Sequence, residues 1–148
     1  MTTFRAVMVA LATAGAACAA GPRLESTDIL ARNAATNESV VQHILIGWGG
    51  LSYFYDGPMD PRAAARSRDE AEALVRTLVQ RAQSGEAFDA LVIQYSEDAG
   101  TAREAQSIAV TPQARLVKPF ITLGLRLKPG EIGVVRSDFG FHIMKRVR

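Results

Sequence analysis

Val40-Val41-Gln42-His43-Ile44-Leu45-Ile46, closed by Gly47, is the stretch on which the fold turns. Its β-branched and aliphatic residues are those enriched in strands, and a short apolar run ending at glycine reads as a buried strand. Taken alone, His43 inside such a run is more often a hydrogen-bonded core histidine than a catalyst.

Working outward towards the C-terminus, the next elements follow from punctuation and period. Gly47 to about Arg66 carries Gly-Trp-Gly-Gly and Asp-Gly-Pro-Met-Asp-Pro around Tyr53, Phe54 and Tyr55. Breakers at that density predict a long loop, which is unusual in a compact domain unless it has a task, so it is a candidate for substrate contact. The competing account is that its aromatics fold back on the core. Ser67-Arg-Asp-Glu70 has capping-box spacing and starts a helix. Ala71, Leu74, Val75, Leu78, Val79 and Ala82 then form one apolar stripe that stops before Gly85. Phe88, Leu91, Val92 and Tyr95 repeat the pattern over a shorter helix.

Beyond Ser96-Glu-Asp-Ala-Gly100, Ser107 to Val110 is a short strand candidate. Leu116, Phe120, Leu123 and Leu127 suggest a further helix, with Pro119 in the first turn, where a missing amide costs little. Lys128-Pro-Gly-Glu131 has the residues of a type II turn. Ile132 to Arg136 and Phe141 to Val147 form a hairpin around Ser137-Asp-Phe-Gly140.

The chain of 148 residues, 48% of them apolar, suffices for one cored domain and is too short for two. Its formal charge of +2 is spread rather than clustered, so nucleic acid is not an implied partner despite a pI near 9.0. Residues 1–17 differ from the rest: Arg5 precedes the uncharged run Ala6 to Ala17, the pattern of a secretory signal. That run falls short of the roughly 20 apolar residues that span a bilayer. The single cysteine, Cys18, follows Gly15-Ala16-Ala17, as in a bacterial lipoprotein signal, although Gly15 stands where such signals usually carry Leu. Lipidation of Cys18 would anchor the protein to a membrane through acyl chains. Ordinary cleavage after Ala17-Cys18-Ala19 meets the small-x-small rule as well. The mature domain has no other cysteine, which excludes an internal disulfide, a cysteine nucleophile and thiolate metal ligands. Residues 18–39, polar and rich in Asn, Thr and Ala, read as a tether that could contain a short helix.

Five pieces decide the family. Gln42-His43-Ile44-Leu45, Ser84-Gly-Glu-Ala-Phe-Asp-Ala-Leu91, Tyr95-Ser-Glu-Asp98, Leu127-Lys-Pro-Gly-Glu-Ile132 and Phe139-Gly-Phe-His-Ile143 resemble the signatures of parvulin-type peptidyl-prolyl cis-trans isomerases, in that family's order. Each alone is weak, but together they cover nearly all of residues 40–148. The resemblance implies an α+β domain with a four-stranded antiparallel sheet, about four surrounding helices and a proline-binding groove. It implies that His43 and His142 lie on adjacent central strands and share a hydrogen-bond network. Asp98 falls where the family carries Asp or Cys facing the groove, Ser137 where many members bond a histidine, and Leu116 and Phe120 at the pocket for the proline ring. One departure stands out: Glu104-Ala-Gln-Ser-Ile-Ala-Val110 replaces a Gly-Gly-x-Leu-Gly stretch, and the lost glycines imply a reshaped groove wall.

The implied reaction is isomerisation of X-Pro bonds in extended or unfolded polypeptides, with no cofactor and no metal, by a monomer exported to the bacterial cell envelope. Rotation about the amide breaks no bond, so a site need only bind the twisted form better than either planar one. Leu116 and Phe120 would grip the ring and Asp98 steer the carbonyl, while His43, His142 and Ser137 hold the polar floor in one protonation pattern. Without the resemblance, Leu116 and Phe120 would be plain core and Asp98 a solvated turn acid. Arg62, Arg66 and Arg68, which in some parvulins would select phosphorylated substrates, are dispersed beside a helix start and read as a solvated basic flank. Two rival functions remain: a parvulin-like module that holds unfolded segments without catalysis, and a purely structural envelope lipoprotein.

Overall fold

A computed structural model describes residues 23–148; residues 1–17, read above as a secretory signal, and Cys18 lie outside the described residues. The sheet contains β1 (Ser39–Ile46), β2 (Ile108–Val110), β3 (Ile132–Ser137) and β4 (Gly140–Arg146), all antiparallel in the order β2-β1-β4-β3. The first and last strands are thus central neighbours. Helices α1 (Thr27–Leu30), α2 (Pro61–Ala64), α3 (Arg68–Gln83), α4 (Phe88–Tyr95) and α5 (Lys118–Gly124) surround it, with 3-10 turns at Gly49–Phe54 and Ala102–Glu104.

The strand period of two sorts the side chains onto two faces. On one, Ile44, Ile46, Val134, Phe141 and Ile143 pack against Val75, Leu78, Leu91 and Val92 of α3 and α4. On the other, Val41, Val135 and Met144 pack against Phe120 and Leu123 of α5. His43 pairs across the ladder with Met144, and Leu45 with His142, so both histidines belong to this second face.

The expected local signals are present. Ser67 Oγ accepts from the Glu70 amide at 3.2 Å while Glu70 Oε2 accepts from the Ser67 amide at 2.7 Å, closing the capping box. Gly130 takes φ +79° and the Glu131 amide donates to the Lys128 carbonyl at 2.9 Å, the geometry of a type II turn. At the start of β4, Gly140 has φ +137° and lies against the Ile46 carbonyl, with no room for a Cβ. The helix expected around Leu116 to Leu127 is shorter than its apolar stripe. Pro119 sits at the start of α5, leaving Leu116 on the incoming segment and Leu127 past the helix end.

The segment read as a tether is docked from residue 24 onward. The Ser26 amide donates to the Val134 carbonyl, and Ser26 Oγ accepts from the Val134 amide, each at 2.9 Å. Ile29 is buried against Leu123, Leu127 and the bare Cα of Gly133, whose missing side chain makes the space. Arg32 reaches Glu131 at 2.8 and 2.9 Å, and the Ala35 amide donates to the Leu125 carbonyl at 2.8 Å.

Candidate active site

The second face of the sheet forms the floor of an open pocket of about 860 Å³. Its walls come from the connection between β1 and α3 and from the segment between β2 and α5. His43, Asp98, His142, Leu116 and Phe120 all line it. Ser137 sits one layer behind, bonded to His142.

The polar floor is one connected chain. Asp98 Oδ2 is 2.8 Å from His43 Nε2 and accepts from Thr101 Oγ at 2.9 Å; Asp98 Oδ1 accepts from the Gly100 amide at 3.0 Å. The His43 contact leads in holding the Asp98 carboxyl down at about 2, with Thr101 and Gly100 adding to it against partial burial. Asp98 is therefore an acceptor only, and His43 Nε2–H donates to it. His43 Nδ1 and His142 Nδ1 stand 3.4 Å apart between near-parallel rings, and Ser137 Oγ is 2.7 Å from His142 Nε2. Burial, reinforced by His43, pushes the His142 imidazole down to about 3, so it is neutral at pH 7. One direction of donation satisfies every member of the chain. The Phe139 amide donates to Ser137 Oγ, Ser137 to His142 Nε2, His142 Nδ1–H to His43 Nδ1, and His43 Nε2–H to Asp98.

Phe120 stands edge-on to both imidazoles, with ring centroids 5.1 Å from His43 and 5.4 Å from His142. It is buried and forms the base of the apolar side, while Leu116 is partly exposed above it. The arrangement can seat a compact apolar ring beside an ionised carboxylate, on a floor that presents no free proton donor. Among the described residues, no group of three or more His, Cys, Asp or Glu side chains could hold a metal ion.

The long loop divides between the two accounts of it. Trp48 and Leu51 fold onto the core, Tyr55 and Met59 line the pocket, and Tyr53 is 91% exposed. A buried acid closes the loop at its base. Glu97 Oε2 accepts from the Gly47 amide at 2.6 Å, and Glu97 Oε1 lies 2.7 Å from Arg66 Nη1, which also donates to the Gly47 carbonyl at 2.8 Å. Burial raises the Glu97 carboxyl, opposed by the Gly47 amide and Arg66.

The basic flank is corrected at Arg66, which is largely buried, while Arg62 and Arg68 remain exposed but paired. Arg62 grips Asp60 through two nitrogens and donates to the Gln94 and Ser96 carbonyls. Arg66 is held as described, and Arg68 pairs with Glu72 and lies over the Trp48 ring.

Thr101 and the Arg66–Glu97 pair escaped the sequence reading, whereas Tyr55 lies in the loop it made a candidate for substrate contact. Asp98-Ala-Gly100 does carry a signal for the first, since an Asp that bonds the amide two residues on makes an Asx turn and points the next side chain back. The glycine-poor segment keeps a left-handed residue: Ala105, at φ 48° and ψ 44°, with its carbonyl accepting from Gln42 Nε2 at 2.9 Å.

A family model described as the PPIC-type PPIase domain matches residues 27–147. The chain is 35% identical over 109 residues to "Chaperone SurA" of Chromohalobacter salexigens, covering 73% of this chain and 22% of that protein. It is 28% identical over 109 residues to "Foldase protein PrsA" of Geobacillus kaustophilus, covering 73% of this chain and 39% of that one. It thus spans well under half the length of these curated relatives. Among solved structures, peptidyl-prolyl isomerase ESS1 from Candida albicans superposes with a TM-score of 0.63 at 20% identity, over 76% of this chain and 63% of that one, a likeness of fold.

Proposed function

Since the chain belongs to the PPIC-type PPIase domain family, we propose that it isomerises X-Pro bonds in extended polypeptides, at the pocket floored by Asp98, His43 and His142. The observation that carries this reading is the continuous chain from Ser137 to Asp98 beneath an apolar slot formed by Phe120 and Leu116. A planar amide owes its rotation barrier of roughly 18–20 kcal/mol to a resonance form with negative charge on oxygen. Twisting the C–N bond withdraws that charge. A fixed carboxylate near the carbonyl oxygen therefore disfavours the planar form relative to the twisted one, and an apolar wall that strips water from the amide acts in the same direction. Asp98 supplies the charge. The histidines and Ser137 hold its orientation and ionisation, and Phe120 and Leu116 seat the ring.

The test is refolding of a protein limited by proline isomerisation, in the presence of the full chain, with Asp98→Ala and Phe120→Leu beside it. Wild type is expected to accelerate the slow phase, and Asp98→Ala to lose about tenfold or more of that effect, equivalent to about 1.4 kcal/mol of twisted-amide preference. A wild type that leaves the slow phase unchanged at equimolar ratio while suppressing aggregation would establish holding without catalysis. The exposed ring pair Tyr53 and Phe54 favours that second reading.

For residues 1–17 the reading is an export signal, and for Cys18 lipidation to a membrane of the bacterial envelope, with the folded domain acting there as a monomer. It rests on the charge and apolar pattern of those residues. Among the described residues no helix is long and apolar enough to cross a membrane. Membrane fractionation of the full chain against Cys18→Ser checks it: the wild type sediments with membranes, and the variant is released.

A further inference from the structure

Six side chains that line the pocket are normally charged besides the histidines: Asp56, Asp60, Arg62, Glu97, Asp98 and Arg115. Four are consumed by partners inside the fold. Asp60 and Arg62 hold each other, Glu97 is held by Arg66 and the Gly47 amide, and Asp98 by His43, Thr101 and the Gly100 amide. Asp56 and Arg115 are exposed, and among the described residues neither has a hydrogen-bond or ion-pair partner. They stand on different elements. Asp56 follows the pocket-lining Tyr55 on the loop between β1 and α3, whereas Arg115 precedes Leu116 on the segment between β2 and α5.

An extended peptide threaded through a pocket of this kind passes both groups, and each can pair only with a charge of opposite sign on that peptide. We propose that Arg115 and Asp56 together read charge order along the bound segment, favouring an acidic side chain on the flank of the proline next to Leu116 and a basic one on the flank next to Tyr55. The inference rests on the isomerase-domain reading of the pocket and adds specificity determinants to it. The paired charges do not compete for this role: engaging Arg62 or Glu97 with substrate would first break contacts of 2.6 to 3.1 Å that hold the loop.

Two peptides of identical composition test it, one with Glu before and Lys after a central Xaa-Pro, the other with the two exchanged. Because net charge is the same, general attraction to the protein cancels and only order is read. Isomerisation is followed by NMR exchange with the full chain, and binding by chemical-shift titration of the same samples. One order is expected to be favoured by about three- to tenfold, as for exposed ion pairs, with the preference fading as salt rises. Arg115→Gln and Asp56→Asn each reduce it, and the double exchange Asp56→Arg with Arg115→Asp inverts it. Equal behaviour of the two peptides, or a preference that survives the double exchange unchanged, overturns the proposal. If neither peptide is isomerised the catalytic reading fails, and the titration still decides between ordered and indifferent binding.

Discussion

Adjacent residues of β4 live in different chemical worlds. Phe141 and Ile143 point into a wholly apolar layer under α3 and α4, whereas His142, between them, points into the polar floor of the pocket. Both side chains of the first pair and the histidine itself are almost fully buried. The difference lies in what surrounds them: on one face the aliphatic and aromatic side chains of α3, α4 and Trp48, on the other Ser137, His43 and Phe120. A strand that alternates faces lets a costly hydrogen-bonded network sit back to back with a conventional core, and damage to one need not pass to the other.

The comparison predicts a double dissociation. Phe141→Ala should lower stability by about 3–5 kcal/mol through lost burial and the cavity left behind, measured by denaturant unfolding, while the folded fraction keeps its kcat/KM. Ser137→Ala, on the other face of the same hairpin, should cost only about 0.5–1.5 kcal/mol of stability yet lower kcat/KM by a larger factor. Equal loss of activity in both variants would break the separation of the two faces.

Between pH 7 and 4 the largest response to acid should come from the histidine face. The unfolded chain takes up a proton at His142 near its ordinary 6.5, whereas the fold refuses it until about 3. In that window the unfolded state binds more protons, so stability is full above 6.5 and declines as pH falls towards 3. Asp98 joins later: its stabilisation is present above its ordinary 3.8 and disappears as pH falls through about 2. Denaturant midpoints between pH 7 and 4 should fall steadily in the wild type and flatten in His142→Gln. A wild-type midpoint constant down to pH 4 would contradict the buried neutral imidazole.

The smallest effect concerns the segment where family glycines are missing. Ala105 holds a left-handed backbone that an L residue adopts at a cost of roughly 1–2 kcal/mol, so Ala105→Gly should stabilise. The gain should stay below about 1 kcal/mol, because the alanine methyl is itself buried in the larger core. Thermal unfolding can resolve the shift.

These positions show which features were readable in the sequence. The capping box, the α3 stripe and the Lys128 to Glu131 turn depend on neighbours within a few residues, and they form as spacing dictates. The meeting of His43 with His142 spans 99 positions, and only the likeness to a family anticipated it. Asp98, Ser137, Leu116 and Phe120 became interpretable by the same route. The partners of Tyr55 and Arg66 were not readable because the Phe139 carbonyl and Glu97 are far away in sequence and are joined by polar contacts that leave no periodic trace. The supposed tether misled for the same reason. Its attachment uses one buried side chain, Ile29, one arginine, one serine hydroxyl and two backbone amides, so its composition still looks unattached.

That attachment has a consequence for a protein proposed to handle unfolded chains. β3 is an edge strand, and an edge strand offers unpaired amides and carbonyls to any extended polypeptide that comes near. Ser26 takes both outward groups of Val134, so the middle of that edge is already paired. At the opposite edge β2 spans only Ile108–Val110, too short to template a ladder. A client segment thereby meets an interrupted margin on one side and a short one on the other, which limits the strand addition that leads to co-aggregation.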